Sequence, residues 1–257
     1  MSKVNVFSIA NQKGGVGKTT TAVNLSASIA AFGKRVLLVD LDPQANATTG
    51  SGINKFELEN SICEVLLGEA KIVDAVVTNP KSKFDVLPAN PELTTVEVAL
   101  INKKDRAQIL KKKLKKIKND YDYVLIDCPP ALNLLTVNAL TASNGVIVPL
   151  QCEFYSLEGI SALINTVNQI AATLNPNLSV VGVVRTMYDG RNNLAVQVAE
   201  QLALHFSKEM YHTIIPRNVR LAEAPSYGIP ITEYDASSKG AFAYMDLAAE
   251  ILQRTEG

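Results

Sequence analysis

The stretch NQKGGVGKTT, residues 11–20, constrains the fold more than any other part of the chain. It lies between an apolar, β-rich run, Val4–Ala10 (VNVFSIA), and a small-residue segment, Thr20–Phe32, that carries Val23, Leu25, Ala27, Ile29 and Ala30. The pattern predicts a strand, a tight turn and a helix that Gly33 stops. A glycine-rich turn that opens a helix after a strand is a cradle for phosphate. Gly14, Gly15 and Gly17 carry no Cβ, so backbone N–H groups can converge on phosphate oxygens. Lys18 stands where an ammonium reaches β- and γ-phosphates, and the Thr19 hydroxyl where it can ligate Mg²⁺. Val16 and Thr20 complete the set expected to touch a nucleotide. The common pattern G-x-x-x-x-G-K-S/T is broken once: Gln12 holds its first glycine position, and a second lysine, Lys13, follows.

The remaining apolar runs set the architecture. Arg35–Asp40 (RVLLVD) is continuous and reads as a strand buried on both faces. Phe84–Pro88, Tyr123–Asp127, Gly145–Leu150 and Val180–Val184 look similar. Between several of them lie helical stripes: Leu110, Leu114 and Ile117, then Leu157, Ile160, Leu163, Ile164 and Val167. The alternation predicts an α/β fold, a mostly parallel sheet flanked by helices on both faces. At 257 residues with 47% hydrophobic content, one domain spanning 1–257 is the expectation. No N-terminal helix-turn-helix domain precedes it on this reading, and no stretch approaches the ~20 apolar residues of a membrane span.

Acidic and basic residues number 25 each, so a globally basic nucleic-acid binder is excluded while a local basic face is not. Three dispersed cysteines, Cys63, Cys128 and Cys152, indicate neither a disulfide framework nor a zinc site, and fit a reducing cytoplasm.

Carboxylates complete the expected site. In VDLDPQANATTG, Asp40 and Asp42 flank Leu41 and so point differently. One can support a Mg²⁺ shell and the other can position an attacking water. In YDYVLIDCPP, Asp127 ends an apolar strand, where a carboxylate holds Mg²⁺ through water. Cys128 has no paired histidine nearby in sequence, since His205 and His212 are the two in the chain, and is expected to be an inert buried thiol.

KGGVGKT resembles the signature of the deviant-Walker P-loop ATPases. Six further phrases extend the resemblance over nearly the whole chain: VDLDPQANAT, YDYVLIDCPP, PLQCEFYSLEG, TMYDGRNNLAVQV, IIPRNVRLAEAPSYG and YDASSKGAFAYMDLAAEIL. Together they are similar to the short chromosomal form of the ParA/Soj DNA-segregation ATPases. The resemblance implies ATP with Mg²⁺ as cofactors. It implies that Lys13 reaches across a dimer to the partner's ATP, acting with Lys18 and Asp42 in catalysis. Asp42, the aspartate of DPQ, is implicated in hydrolysis and, with Thr19 and Asp127, at the metal. Pro216 and Asn218 would line the adenine, and Arg191 and Arg220 would contact DNA. Lys111, Lys112, Lys113, Lys115, Lys116 and Lys118 add a basic helix whose role the sequence leaves open.

The implied function is ATP-dependent partitioning. A homodimer with ATP would bind double-stranded DNA without sequence preference, associated with the nucleoid in the cytoplasm. A ParB-like partner would stimulate hydrolysis from a slow basal rate. Three alternatives compete. A MinD-like positioner would bind membrane, but the chain shows no basic amphipathic helix after AEILQRTEG. A ParA-like ATPase could position a protein cargo, and a metabolic P-loop enzyme would need a second substrate motif. The cysteines do not match the cluster ligands of the nitrogenase iron protein.

Overall fold

The structure, a computed structural model, describes residues 4–78, 83–117 and 119–256. Eight strands form one sheet: β1 Asn5–Ile9, β2 Val36–Asp40, β3 Val77–Thr78, β4 Asp85–Leu87, β5 Tyr123–Asp127, β6 Gly145–Gln151, β7 Val180–Tyr188 and β8 Met210–Pro216. Their order is β3-β4-β2-β5-β1-β6-β7-β8. β3 runs antiparallel to β4 at one edge, and the other neighbours run parallel. The helices of the first half are α1 Lys18–Ala31, α2 Asn46–Gly50, α3 Ile62–Leu67, α4 Ile72–Ala75, α5 Leu93–Leu100 and α6 Ile109–Leu114. Those of the second are α7 Leu134–Ala142, α8 Ser156–Thr173, α9 Asn193–His205, α10 Val219–Glu223, α11 Ile231–Tyr234 and α12 Lys239–Glu256.

The continuous apolar runs become the central strands. Every residue of β2 and β5 is buried, because helices cover both faces. Successive side chains then feed two cores. Leu37, Val39, Val124 and Ile126 pack with residues of α3 and α5 to α9. Val36, Leu38, Tyr123 and Leu125 pack with α1 and α12. The small residues of α1 let it lie close under α12: Ala22, Leu25 and Ile29 are fully buried.

The parallel sheet places the site. β1 lies between β5 and β6. The chain leaves β1 through the phosphate loop and α1 toward β2 on one side, while β6 lies on the other. Such a switch of direction opens a crevice at the carboxyl ends of the strands. The loops after β1, β2, β5, β7 and β8 converge on that edge, and they carry Lys13–Thr20, Asp42, Cys128, Arg191 and Asn218.

Two strands depart from the expected set. β8 mixes buried, half-buried and exposed positions and shows no continuous apolar run, and β3 is only two residues long. β7 extends past Val184 to Tyr188, adding polar Arg185 and Thr186. The lysine-rich segment is a short helix: α6 ends at Leu114, Lys115 and Lys116 lie in the turns that follow, and Lys118 falls outside the described residues.

Candidate functional site

Backbone geometry builds the phosphate loop. Gly15 and Gly17 have φ of +74° and +86°, a region that side chains rarely adopt. The loop is tied down from beneath. Thr186 Oγ1 on β7 donates to the Val16 carbonyl at 2.7 Å. Asn11 Nδ2 donates to the Pro149 carbonyl on β6 at 2.8 Å, and Asn11 Oδ1 accepts from the Lys13 N–H at 3.0 Å. The loop N–H groups are thus held in place before any phosphate arrives, which reduces the cost of ordering on binding.

The two lysines point in different directions. Lys18 is buried and folds back over its own loop, its Nζ donating to the Lys13 carbonyl at 3.1 Å. Burial lowers its pKa, opposed by the attraction of Asp127 and Asp42. Lys13 turns out of the loop and forms an ion pair with Glu153, between β6 and α8, with 37% of its side chain exposed.

Thr19 Oγ1 donates to Asp127 Oδ2 at 2.7 Å. Asp127 is fully buried, and its other oxygen, Oδ1, has no hydrogen-bond partner among the described residues. Burial first, and then repulsion from Asp40, hold its carboxyl well above the usual carboxylate range. A hydroxyl beside a carboxylate with an unused buried oxygen is a donor set suited to Mg²⁺. Among the described residues no three His, Cys, Asp or Glu side chains are grouped so as to hold a metal ion by themselves. A cation here would therefore complete its shell with phosphate and water oxygens, as Mg²⁺ does.

The structure separates Asp40 from Asp42. Asp40 is fully buried, and its Oδ2 accepts from the Thr48 N–H at 2.8 Å and the Thr48 hydroxyl at 2.7 Å. Its Oδ1 accepts from the Asp42 N–H at 3.1 Å. Thr48 Oγ1 in turn accepts from the Ala89 N–H at 2.9 Å. Asp40 thus anchors the loop after β2 to the end of β4. Asp42 is half-buried, and its Oδ1 accepts from the Gln44 N–H at 2.9 Å. It acts electrostatically on both Lys18 and Asp127, which places it at the mouth of the same cluster.

A cleft of about 300 Å³ continues from the loop, bounded by Gly17, Thr20, Thr186, Met187, Pro216, Asn218 and Tyr244 among others. Pro216 and Asn218 therefore do line a space beside the phosphate loop. Asn218 also caps α10, its Oδ1 accepting from the Leu221 N–H at 3.3 Å. Thr186, Met187 and Tyr244 were not foreseen as part of this wall. Met187 sits at φ +49°, a backbone state uncommon outside glycine. A larger cavity of about 590 Å³ lies on the opposite edge, among Val4, Arg35, Lys111 and Tyr121, away from the phosphate loop.

Arg191 and Arg220 follow β7 and β8 and share the loop-bearing edge. Arg191 is 91% exposed and pairs with Asp189 at 2.7 Å. Arg220 pairs with Glu223 at 2.8 Å and with Asp235 at 3.5 Å. The Arg191 hydrogen bonds hold the Asp189 carboxyl down to about 2. Cys128 is buried, and burial first pushes its thiol far up, so it is not a nucleophile.

Fold and loop together define a P-loop ATPase with a second lysine in its phosphate loop. A family model described as AAA domain matches residues 4–180. Sporulation initiation inhibitor protein Soj of Bacillus subtilis is 50% identical, covering 96% of this chain and 97% of that protein. Chromosome partitioning protein ParA of Caulobacter vibrioides is 50% identical, covering 98% and 95%. Among solved structures, cobyrinic acid a,c-diamide synthase from Mycobacterium smegmatis with bound ADP and magnesium is similar at 37% identity and TM-score 0.87, covering 99% and 96%. The cell division ATPase MinD of Pyrococcus furiosus is similar at 28% identity and TM-score 0.81, covering 97% and 99%. The chain belongs to the ParA/Soj family of partitioning ATPases.

The buried acid Asp40 makes the nucleotide-free chain sensitive to pH. Its folded pKa is pushed to about 6 from 3.8, chiefly by burial. A raised carboxyl contributes stability that is complete below the unfolded value and is lost as the pH rises through the folded one. Urea unfolding of wild type and Asp40→Asn over a pH series is therefore expected to give a stability difference that declines between about pH 4 and 6 and levels off above pH 7. A difference independent of pH would show that Asp40 does not titrate in this range.

Proposed function

We propose that this chain is a partitioning ATPase of one domain that cycles between a monomer and an ATP-bound dimer. The dimer binds double-stranded DNA without sequence preference, and a ParB-like partner releases it by stimulating hydrolysis. The observation that carries the proposal is the divergence of the two lysines: Lys18 stays within its own phosphate loop, while Lys13 leaves it. A cation that turns away from its own cradle is free to serve the cradle of a second copy. Two ATP-loaded faces repel each other, and one lysine from each side offsets that repulsion, so association depends on nucleotide.

In this mechanism the loop N–H groups and Lys18 hold the β- and γ-phosphate oxygens. Thr19 and Asp127 would hold Mg²⁺, which would neutralise charge on those phosphates. Asp42 orients the attacking water from the half-buried mouth of the cluster. Pro216 and Asn218 border the base. The solved M. smegmatis relative carries an ATP analogue and magnesium in one form, which supports the same ligands here. Lys18, Thr19, Asp42 and Asp127 include no arginine, and an arginine finger is worth ~10³–10⁵ in rate. Basal turnover is therefore expected to be slow, below ~1 s⁻¹.

The DNA step is electrostatic. Net charge is zero, and Arg191 and Arg220 each carry an acidic partner in the monomer. Exposed pairs of this kind are weak, so phosphates can displace them, and dimerisation doubles the number of sites. Membrane or a protein cargo would use the same ATP cycle. The 50% identity to proteins named for chromosome partitioning favours DNA.

Asp42→Ala is expected to bind ATP yet stall hydrolysis, so that size-exclusion chromatography with ATP shows a persistent dimer. A monomer with ATP, or turnover near wild type, would remove Asp42 from the mechanism.

Arg191→Glu and Arg220→Glu are each expected to weaken ATP-dependent DNA binding while sparing nucleotide affinity. A salt titration is expected to give log affinity falling by roughly 0.9 per phosphate contacted for each tenfold rise in salt, with a flatter slope in each variant. Equal DNA binding with and without ATP, or strong preference for one duplex sequence, would defeat the switch.

A further inference from the structure

The turn between β6 and α8 carries features that the phosphate chemistry does not use. Glu153 holds Lys13 and keeps 53% of its own side chain exposed. Phe154 and Tyr155 follow at 69% and 72% exposure. Their rings meet edge to face, with centroids 5.2 Å apart. The backbone beneath them is tied. Ser156 is buried, and its Oγ donates to the Gln151 carbonyl at 2.5 Å and accepts from the Glu153 N–H at 3.3 Å. The Ser156 N–H also donates to the Glu153 carbonyl at 2.9 Å.

Two large aromatic rings held outward on a fixed turn lose little freedom when covered, and such rings anchor protein interfaces. What covers them follows from the residue they adjoin. Glu153 connects this turn to Lys13, the side chain that must leave its own chain to reach a second copy's phosphates. A second copy close enough to receive Lys13 is also close to the turn. In the free chain the Lys13–Glu153 pair is largely exposed, and exposed pairs are worth little. The triphosphate of a second copy offers several charges and charge-assisted bonds at once, so it can take Lys13 over.

We propose that the turn 153–155 is a docking surface for a second copy of this chain, with Phe154 and Tyr155 buried against it, and that Glu153 neutralises Lys13 in the free chain until the second copy's ATP replaces it. The proposal rests on the ATP-dimer mechanism given above and adds the surface and the exchange that control it.

The test is dimerisation with ATP and Mg²⁺ over a range of protein concentrations, followed by light scattering. Phe154→Ala/Tyr155→Ala is expected to keep ATP affinity while raising the concentration needed for dimers by about tenfold or more. Glu153→Gln is expected to lower that concentration by up to about fivefold, the scale of an exposed pair. The chain contains no tryptophan, so Phe154→Trp supplies a single reporter. Its emission is expected to shift to the blue with ATP, and not when Lys13→Ala is added. If wild type dimerises and the double alanine variant does so equally, or the tryptophan emission is unmoved, the docking surface is wrong while the dimer survives. If Glu153→Gln weakens dimers, Glu153 acts within the dimer and the exchange is wrong. If wild type forms no dimer with ATP, the dimer mechanism fails and this proposal fails with it.

Discussion

Two carboxylates stand in register at the ends of adjacent central strands, Asp40 on β2 and Asp127 on β5, and neither has exposed surface. Burying like charges side by side is costly unless each is compensated. The structure compensates them differently. Asp40 is satisfied from within by Thr48 and the Asp42 N–H. Among the described residues Asp127 receives only the Thr19 hydroxyl and keeps one oxygen unused. The first acid shapes a loop, and the second is left needing a cation. That asymmetry suits this sheet edge to the Mg²⁺ and polyphosphate proposed for it.

The rest of the edge is arranged around that need. The loop that receives phosphate is braced by Thr186 from β7 and Asn11 against β6, so its shape depends on strands that contribute no ligand. Asp40, by fixing Thr48 and Asp42, determines where Asp42 sits relative to Lys18. The tie extends to β4 through Ala89. A change in the loop after β2 is thus felt at Asp127 through one carboxylate, a short route by which nucleotide state can reach the surface.

Much of this was legible in the sequence, for a local reason. β1, the glycines, Lys18 and Thr19 are contiguous, and β2 and β5 are unbroken apolar runs that end in acids. Their identity and position follow from short-range pattern alone. What was not legible is what depends on distant contacts. The resemblance singles out Asp42, but the residues alone leave Asp40 and Asp42 interchangeable, and the buried anchoring role of Asp40 needs Thr48 placed in space. The cleft walls Thr186, Met187 and Tyr244 come from β7 and α12, and β8 hides in a half-buried strand with no continuous apolar run. The pairing of Lys13 with Glu153 spans 140 residues. Family phrases included TMYDGRNN and PLQCEFYSLEG, yet they gave Thr186 and Glu153 no role, because a phrase carries no geometry.

The central claim is that the unused oxygen of Asp127 exists to support Mg²⁺ at bound ATP. Calorimetric titration of ATP into wild type and Asp127→Asn, each with and without Mg²⁺, addresses it directly. Wild type is predicted to bind ATP far more tightly with Mg²⁺, and Asp127→Asn to lose about 10–100-fold of that gain, as removal of a ligand-supporting group does at metal sites. ATP affinity without Mg²⁺ is predicted to be no weaker in the variant, since a neighbouring negative charge is gone. An equal gain from Mg²⁺ in both proteins would contradict the account.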